Sequence, residues 1–176
     1  MTTRELSKFS LPVSLALVAS ACGYHVGTHA DTIPKTIKTI AIPAFANTTP
    51  QSKLARLLTA DVTREFISRT HYNIVAEPDQ ADALLQGAVV NFINYPTIFD
   101  PVTFRATGVQ VVLTLQLHLS DRHTGKMLFS KTGYEFRERF EISVDPTTYF
   151  DESGTAIQRL SRDAARSIVS AILENF

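Results

Sequence analysis

The sequence predicts an α+β fold, a two-layer sandwich in which a curved mixed or antiparallel sheet carries two helices on one face. Three observations predict it. Residues 52–70 and 155–173 each repeat apolar residues at helical spacing. The run VQVVLTLQLHLS, residues 109–120, alternates strictly between apolar and other positions, so one sheet face is buried and one is wet. Short apolar or β-branched runs separated by turn residues supply the remaining strands, in the order β-α-β-β-β-β-α.

Each element follows from local chemistry. In TIKTIAIPAF, Ile37, Ile40 and Ile42 mark a short strand closed by Pro43. NTTP, residues 47–50, reads as a loop and helix start, with Thr49 the candidate N-cap before Pro50. The helix that follows carries Leu54, Leu57, Leu58, Val62 and Phe66 on one stripe, with Lys53, Arg56, Arg64 and Arg69 off it. Asp61 and Glu65 interrupt its basic side, which favours a helix covering a sheet over one lying on a membrane. YNIVA, residues 72–76, is a second strand. ALLQGAVVNFINY, residues 83–95, is a third; it is apolar on both parities, which predicts a central strand or one covered on both sides. Gly87 inside it predicts a bulge or a close approach.

The fourth strand places Val109, Val111, Leu113, Leu115, Leu117 and Leu119 on its buried face, and its twelve residues span roughly 40 Å at ~3.4 Å each. DRHTG, residues 121–125, turns the chain into a fifth strand, where Tyr134, Phe136, Phe140 and Ile142 alternate with Glu135, Arg137, Arg139 and Glu141. Glu138 breaks the apolar face, as an edge or strong twist allows. The last helix buries Ile157, Leu160, Ala164, Ile168 and Ile172, leaving Arg159, Arg162 and Arg166 outward.

The chain's beginning reads differently. MTTRELSKFS is weakly basic, LPVSLALVA is uncharged, and Ala19-Ser20-Ala21 precede the chain's one cysteine, Cys22. A basic start, a short apolar run and small residues describe an export signal, and the run is about half the ~20 residues of a membrane span. Ala-Ser-Ala-Cys resembles the lipobox of bacterial lipoproteins, with Ala19 where Leu is commonest. The resemblance implies cleavage before Cys22 and a diacylglyceryl group on its thiol, and acylation of that kind anchors a protein stably in a membrane. Ordinary cleavage leaving a free thiol is the other reading. Residues 1–21 are therefore read as a cleaved signal, 22–35 as a lipidated tether and 36–176 as one domain. Gly23, rather than Asp, after the cysteine implies the outer membrane by the same resemblance.

Composition narrows function. Seventeen basic residues balance seventeen acidic ones, which excludes the basic stripe of a nucleic-acid binder. A lone cysteine makes no disulfide framework and no CxxC metal site. His25, His29, His71, His118 and His123 form no HxH or HExxH pair, so no metal or cofactor is expected. There is no GxSxG, P-loop or GxGxxG, and Asp145 and Asp151 around PTTYF read as turn chemistry. No catalytic residue is expected, and a lipoprotein hydrolase is disfavoured on that ground.

The remaining motifs converge. CGYHV after the leader, IKTIAIPAFANTT, a helix, ADALLQGAV, DRHTGKMLF and FDESGTAIQRLSRDAARSIVSAILENF resemble the LptE family of lipopolysaccharide-assembly lipoproteins, over essentially the whole mature chain. The resemblance implies a sheet with two helices on one face. It also implies a plug in the lumen of the outer-membrane β-barrel LptD, assisting its folding and the delivery of lipopolysaccharide to the outer leaflet. A barrel lumen is polar, which suits the Gln110, Thr114, Gln116, His118 face and the alternating charges after it, as plain solvent would too. Lipopolysaccharide carries phosphates and carboxylates, so Arg105, Arg122, Lys126, Lys131, Arg137 and Arg139 are the candidate contacts by charge and place. A periplasmic lipoprotein scaffold of the same layer plan, unconnected with lipopolysaccharide, is the alternative.

Overall fold

The computed structural model describes residues 33–142 and 153–174. The export signal, Cys22, His25, His29, Asp145 and Asp151 lie outside the described residues. The elements run β1 (Thr39–Ala41), β2 (Ala46–Asn47), α1 (Ser52–Arg69), β3 (Asn73–Val75), a 3-10 turn (Pro78–Gln80), β4 (Ala83–Phe99), β5 (Ala106–Asp121), β6 (Met127–Glu141) and α2 (Ser153–Glu174).

The strands form one mixed sheet in the order β3-β1-β4-β5-β6, with β2 pairing β4 beyond the end of β1. β1 runs parallel to both β3 and β4, so the connection from β1 to β3 must cross over, and α1 is the crossover. β4, β5 and β6 make an antiparallel meander of long strands, about 50 Å from end to end at ~3.3 Å per residue. The short strands crowd one end of this meander, called proximal here. The β4–β5 turn forms the distal end.

Both helices lie on one face, which gives the expected two layers. Leu54, Leu58, Val62 and Phe66 of α1 and Leu160, Ala164, Ile168 and Ile172 of α2 share a core with all six alternating residues of β5, Val109 to Leu119. The helices are also pinned by polar chemistry: the buried Ser161 hydroxyl donates to Asp61 Oδ2 at 2.7 Å, while Asp61 Oδ1 pairs with Arg64 at 2.7 Å.

Five details depart from the sequence reading. Thr49 does not cap α1. The N-cap is Gln51, because Asn47 Oδ1 instead captures the amide and hydroxyl of Thr49 at 2.9 and 2.8 Å and folds the loop into the two-residue strand β2. Leu57 is half-buried and Ala55 takes its place in the stripe. Ile33 is buried in the core, so the domain's packing starts inside the stretch read as tether. Arg159 does not point outward. Its Nε lies 2.8 Å from Glu138 Oε1, which explains why a carboxylate is tolerated on the helix-facing side of β6. Last, β4 is central, but only its first half is covered.

Candidate functional site at the open end of the sheet

The uncovered half of β4 arises from a bulge. In register, Leu85 pairs with Leu119 and Val89 with Leu115, all on the helix-facing side. The ladder then slips between Val89 and Asn91, leaving Val90 over. One extra residue inverts the side chains that follow, until the ladder slips again between Pro96 and Ile98 and keeps Ile98 on the open face. Phe92, Asn94 and Pro96 now share the helix-facing side with Leu113, Val111 and Val109, where Phe92 is half-buried and Asn94 and Pro96 stay exposed, and Ile93 and Tyr95 are exported to the open face. There Ile93 stands in a row with Val112 and Arg137, Tyr95 with Gln110 and Arg139, and Ile98 with Gly108 and Glu141. A Cβ on Gly108 would meet the Ile98 side chain at 3.0 Å, so Ile98 lies directly over that glycine.

The turn beyond continues this apolar surface. Asp100 Oδ1 accepts from the Val102 amide (3.0 Å), the Thr103 amide (2.6 Å) and the Thr103 hydroxyl (2.8 Å), and the Asp100 amide donates to the Arg105 carbonyl at 2.9 Å. Those donors hold the Asp100 carboxyl below its usual pKa, the Thr103 amide most of all. Phe104 is held at φ +54°, a left-handed conformation that bulky residues avoid. The outcome is a tied turn that presents Val102 and Phe104, 83 % and 79 % exposed, with Ile98 and Phe99 about half exposed behind them. Its acid is consumed internally, while Arg105 is exposed at the rim.

The six expected basic residues do not form one patch. Arg137 and Arg139 lie on the open face beside the apolar rows, Arg137 within 3.1 Å of Glu135 Oε2. Arg105 sits at the distal turn, so these three surround one surface. Arg122 and Lys126 lie at the other end, on the β5–β6 turn. Arg122 is spent on structure: its guanidinium donates to the Pro78 carbonyl, to the Ala81 carbonyl at 3.1 Å and to Asp79 at 3.3 Å. Lys131 is on the edge strand β6, its ammonium 5.1 Å from the Tyr134 ring centroid on the helix-facing side.

His118 and His123 are likewise occupied by structure. His118 meets Ser130 Oγ at 3.1 Å and Gln116 Nε2 at 2.9 Å, and His123 Nε2 meets Asp82 Oδ1 at 3.1 Å. A shallow hollow of about 250 Å³ beside His118, floored by Gly87 and Ala88, completes the open face. The sequence reading named Arg105, Arg137 and Arg139 by charge and place, and named none of their apolar neighbours Ile93, Tyr95, Ile98, Val102 and Phe104. For Ile93 and Tyr95 the signal was present in a strand apolar on both parities, read there as a central or doubly covered strand; Ile98, Val102 and Phe104 lie beyond that run.

A surface of exposed aliphatic and aromatic groups edged by guanidinium groups matches an amphiphile with an apolar body and anionic substituents. The comparisons with known proteins bear on that point. A sequence comparison with curated proteins gives no match. Among solved structures, lipoprotein B from Nitrosomonas europaea superposes with a TM-score of 0.52 at 15 % identity, covering 77 % of this chain and 85 % of that one. Rare lipoprotein B from Shewanella oneidensis gives 0.51 at 13 %, covering 76 % and 92 %. The PelC dodecamer protein from Paraburkholderia phytofirmans gives 0.51 at 15 %, covering 79 % and 88 %. At these identities the likeness is one of fold. The sequence itself matches a family model described as lipopolysaccharide-assembly over residues 37–172, which takes in α1, all six strands and all but the last two residues of α2, and the chain therefore belongs to the LptE family.

Proposed function

We propose that this protein is an outer-membrane lipoprotein that occupies the lumen of a large LptD-type β-barrel, assists its assembly and takes part in passing lipopolysaccharide to the outer leaflet. Residues 1–21 are removed, Cys22 carries the lipid anchor, and one domain follows. The role is one of binding and assembly, without a catalytic residue or cofactor.

The observation that carries the reading is the open distal surface. Lipopolysaccharide joins acyl chains to phosphorylated sugars. Ile93, Tyr95, Ile98, Val102 and Phe104 offer contact for the first, and Arg105, Arg137 and Arg139 for the second. The rest of the open face, with Gln86, Gln110, Thr114, Gln116 and Ser120, is polar enough to meet the wall of a barrel lumen. Lys126 and Lys131 are kept as weaker contacts, away from this surface.

The test has two parts. Membranes from cells making the tagged full-length protein are extracted in mild detergent, and a stoichiometric outer-membrane barrel is expected to copurify. The Arg105→Ala/Arg137→Ala/Arg139→Ala variant is then expected to keep the barrel but bind lipopolysaccharide at least tenfold more weakly. Recovery of the lipoprotein without any barrel would remove the plug role. Unchanged lipopolysaccharide binding would remove the assignment of this surface.

A further inference from the structure

A second site lies at the proximal end, about 50 Å from the distal turn at the rise of the long strands. A cavity of about 610 Å³ opens between the C-terminal ends of α1 and α2 and the starts of β1 and β3. Ile37, Tyr72 and Leu173 give it apolar walls, and Lys38, Arg69 and His71 stand around them. No aspartate or glutamate is among its lining residues.

One carbonyl at the C-terminal end of α1 is capped here: that of Phe66 accepts from the Thr70 amide at 3.0 Å and from the Thr70 hydroxyl at 2.7 Å. Lys38 and Arg69 supply the positive charge at the cavity. Arg69 reaches Ser170 Oγ at 2.9 Å and the Arg166 carbonyl at 3.4 Å, which fixes its position without neutralising its charge.

The backbone beside the cavity points to the kind of ligand. β3 is the terminal strand of the sheet and pairs only with β1. The Asn73 amide donates to Lys38 at 2.9 Å, and the Val75 carbonyl accepts from Ile42 at 2.8 Å. Residues 73 and 75 therefore face β1, and by alternation the amide and carbonyl of Ile74 face the outer edge. Among the described residues no strand covers that edge. An open strand edge running into an apolar cavity is the layout by which sheets add a peptide: the main chain supplies hydrogen bonds, and a pocket selects a side chain.

We propose that the β3 edge and this cavity bind a short extended acidic peptide segment of a partner protein. The segment places one apolar side chain between Ile37, Tyr72 and Leu173 and its carboxylates against Lys38 and His71. A lipid phosphate or a free anion could accept from the Ile74 amide but has no donor for the Ile74 carbonyl, whereas an extended peptide serves both, which is why a peptide is preferred. The proposal is independent of the distal surface and of what that surface binds.

Fluorescence anisotropy of the full chain in nonionic detergent tests it, with the labelled peptide Glu-Val-Leu-Val-Asp as probe, acetylated and amidated. Saturable binding is expected, at least tenfold weaker for Lys-Val-Leu-Val-Lys. Lys38→Glu/His71→Glu, both exposed side chains, should weaken the acidic peptide at least tenfold with the unfolding midpoint and lipopolysaccharide binding unchanged. Ile74→Pro, which removes the edge amide, should do the same in a folded chain; the charge-reversed variant decides the matter if the proline variant does not fold. Equal binding of acidic and basic peptides, or indifference to Lys38→Glu/His71→Glu, overturns the proposal. So does binding of phosphatidylglycerol vesicles through these residues in place of the peptide.

Discussion

The ring of Phe45 packs directly on Gly87: a Cβ added to the glycine would stand 2.6 Å from Cδ2 and Cε2 of the ring. Phe45 is buried, and it comes from the loop between β1 and β2, so this contact closes the proximal end of the core over the central strand. Gly87→Ala must displace the ring or the strand. The expected cost is about 1–3 kcal/mol, the range for overpacking. Denaturant unfolding of Gly87→Ala would measure it, and adding Phe45→Leu should recover part of the loss. Additive losses would mean that the two residues do not interact.

The strand around Gly87 also shows how far the sequence could be read. The close approach was legible because glycine in an apolar strand has few other uses. The six-residue alternation of β5 and the helix stripes were legible because burial on one face repeats with the element's own period. The bulge at Val90 was not. A single inserted residue has no compositional signature, yet it moved Ile93 and Tyr95 from the covered face to the open one. For the same reason the arginines of the candidate site could be named from charge while the apolar surface between them could not. The structural role of Arg122 was not legible because its partners, Pro78, Asp79 and Ala81, are more than forty residues away in the chain and are met only through the fold.

Asp82 makes the fold acid-sensitive. Its Oδ2 accepts the Lys38 and Thr39 amides, both at 2.9 Å, and its Oδ1 meets His123. These bonds, the Lys38 amide first, bring its pKa down to about 2, below the value in the unfolded chain. A depressed carboxylate adds stability above its unfolded pKa and loses it as pH falls toward the folded one. The melting temperature should therefore drop between pH 4 and pH 2, with Asp100 and Asp121 acting in the same direction through their turn amides. Asp82→Asn should melt lower than wild type at pH 7, and the gap should narrow at pH 2. A constant gap across that window would place the loss elsewhere.

Glu138 and Arg159 tie β6 to the start of α2 across a partly exposed contact, 21 % and 38 % accessible. Pairs in such settings couple by ~0.2–1 kcal/mol. A double-mutant cycle with Glu138→Gln and Arg159→Met should return a coupling in that range that shrinks at 1 M salt. A value near zero at low salt would mean that the carboxylate is tolerated on the helix-facing side for reasons other than its partner.

Phe104 separates stability from function. Its φ of +54° costs an L side chain energy that glycine does not incur, and its ring, 79 % exposed, recovers little by burial within the chain. Phe104→Gly should thus leave the melting temperature unchanged or raise it, despite deleting a large apolar group. If the distal turn meets acyl chains, the same variant should weaken lipopolysaccharide binding several-fold, and Val102→Ser should add to the loss. Asp100→Ala provides the matching control. It keeps both apolar side chains but releases the three hydrogen bonds that fix the turn, so it should weaken binding through lost preorganisation. Melting curves and lipopolysaccharide titrations on the three variants decide the matter. A destabilised Phe104→Gly with intact binding would show that the ring serves the fold and not a ligand.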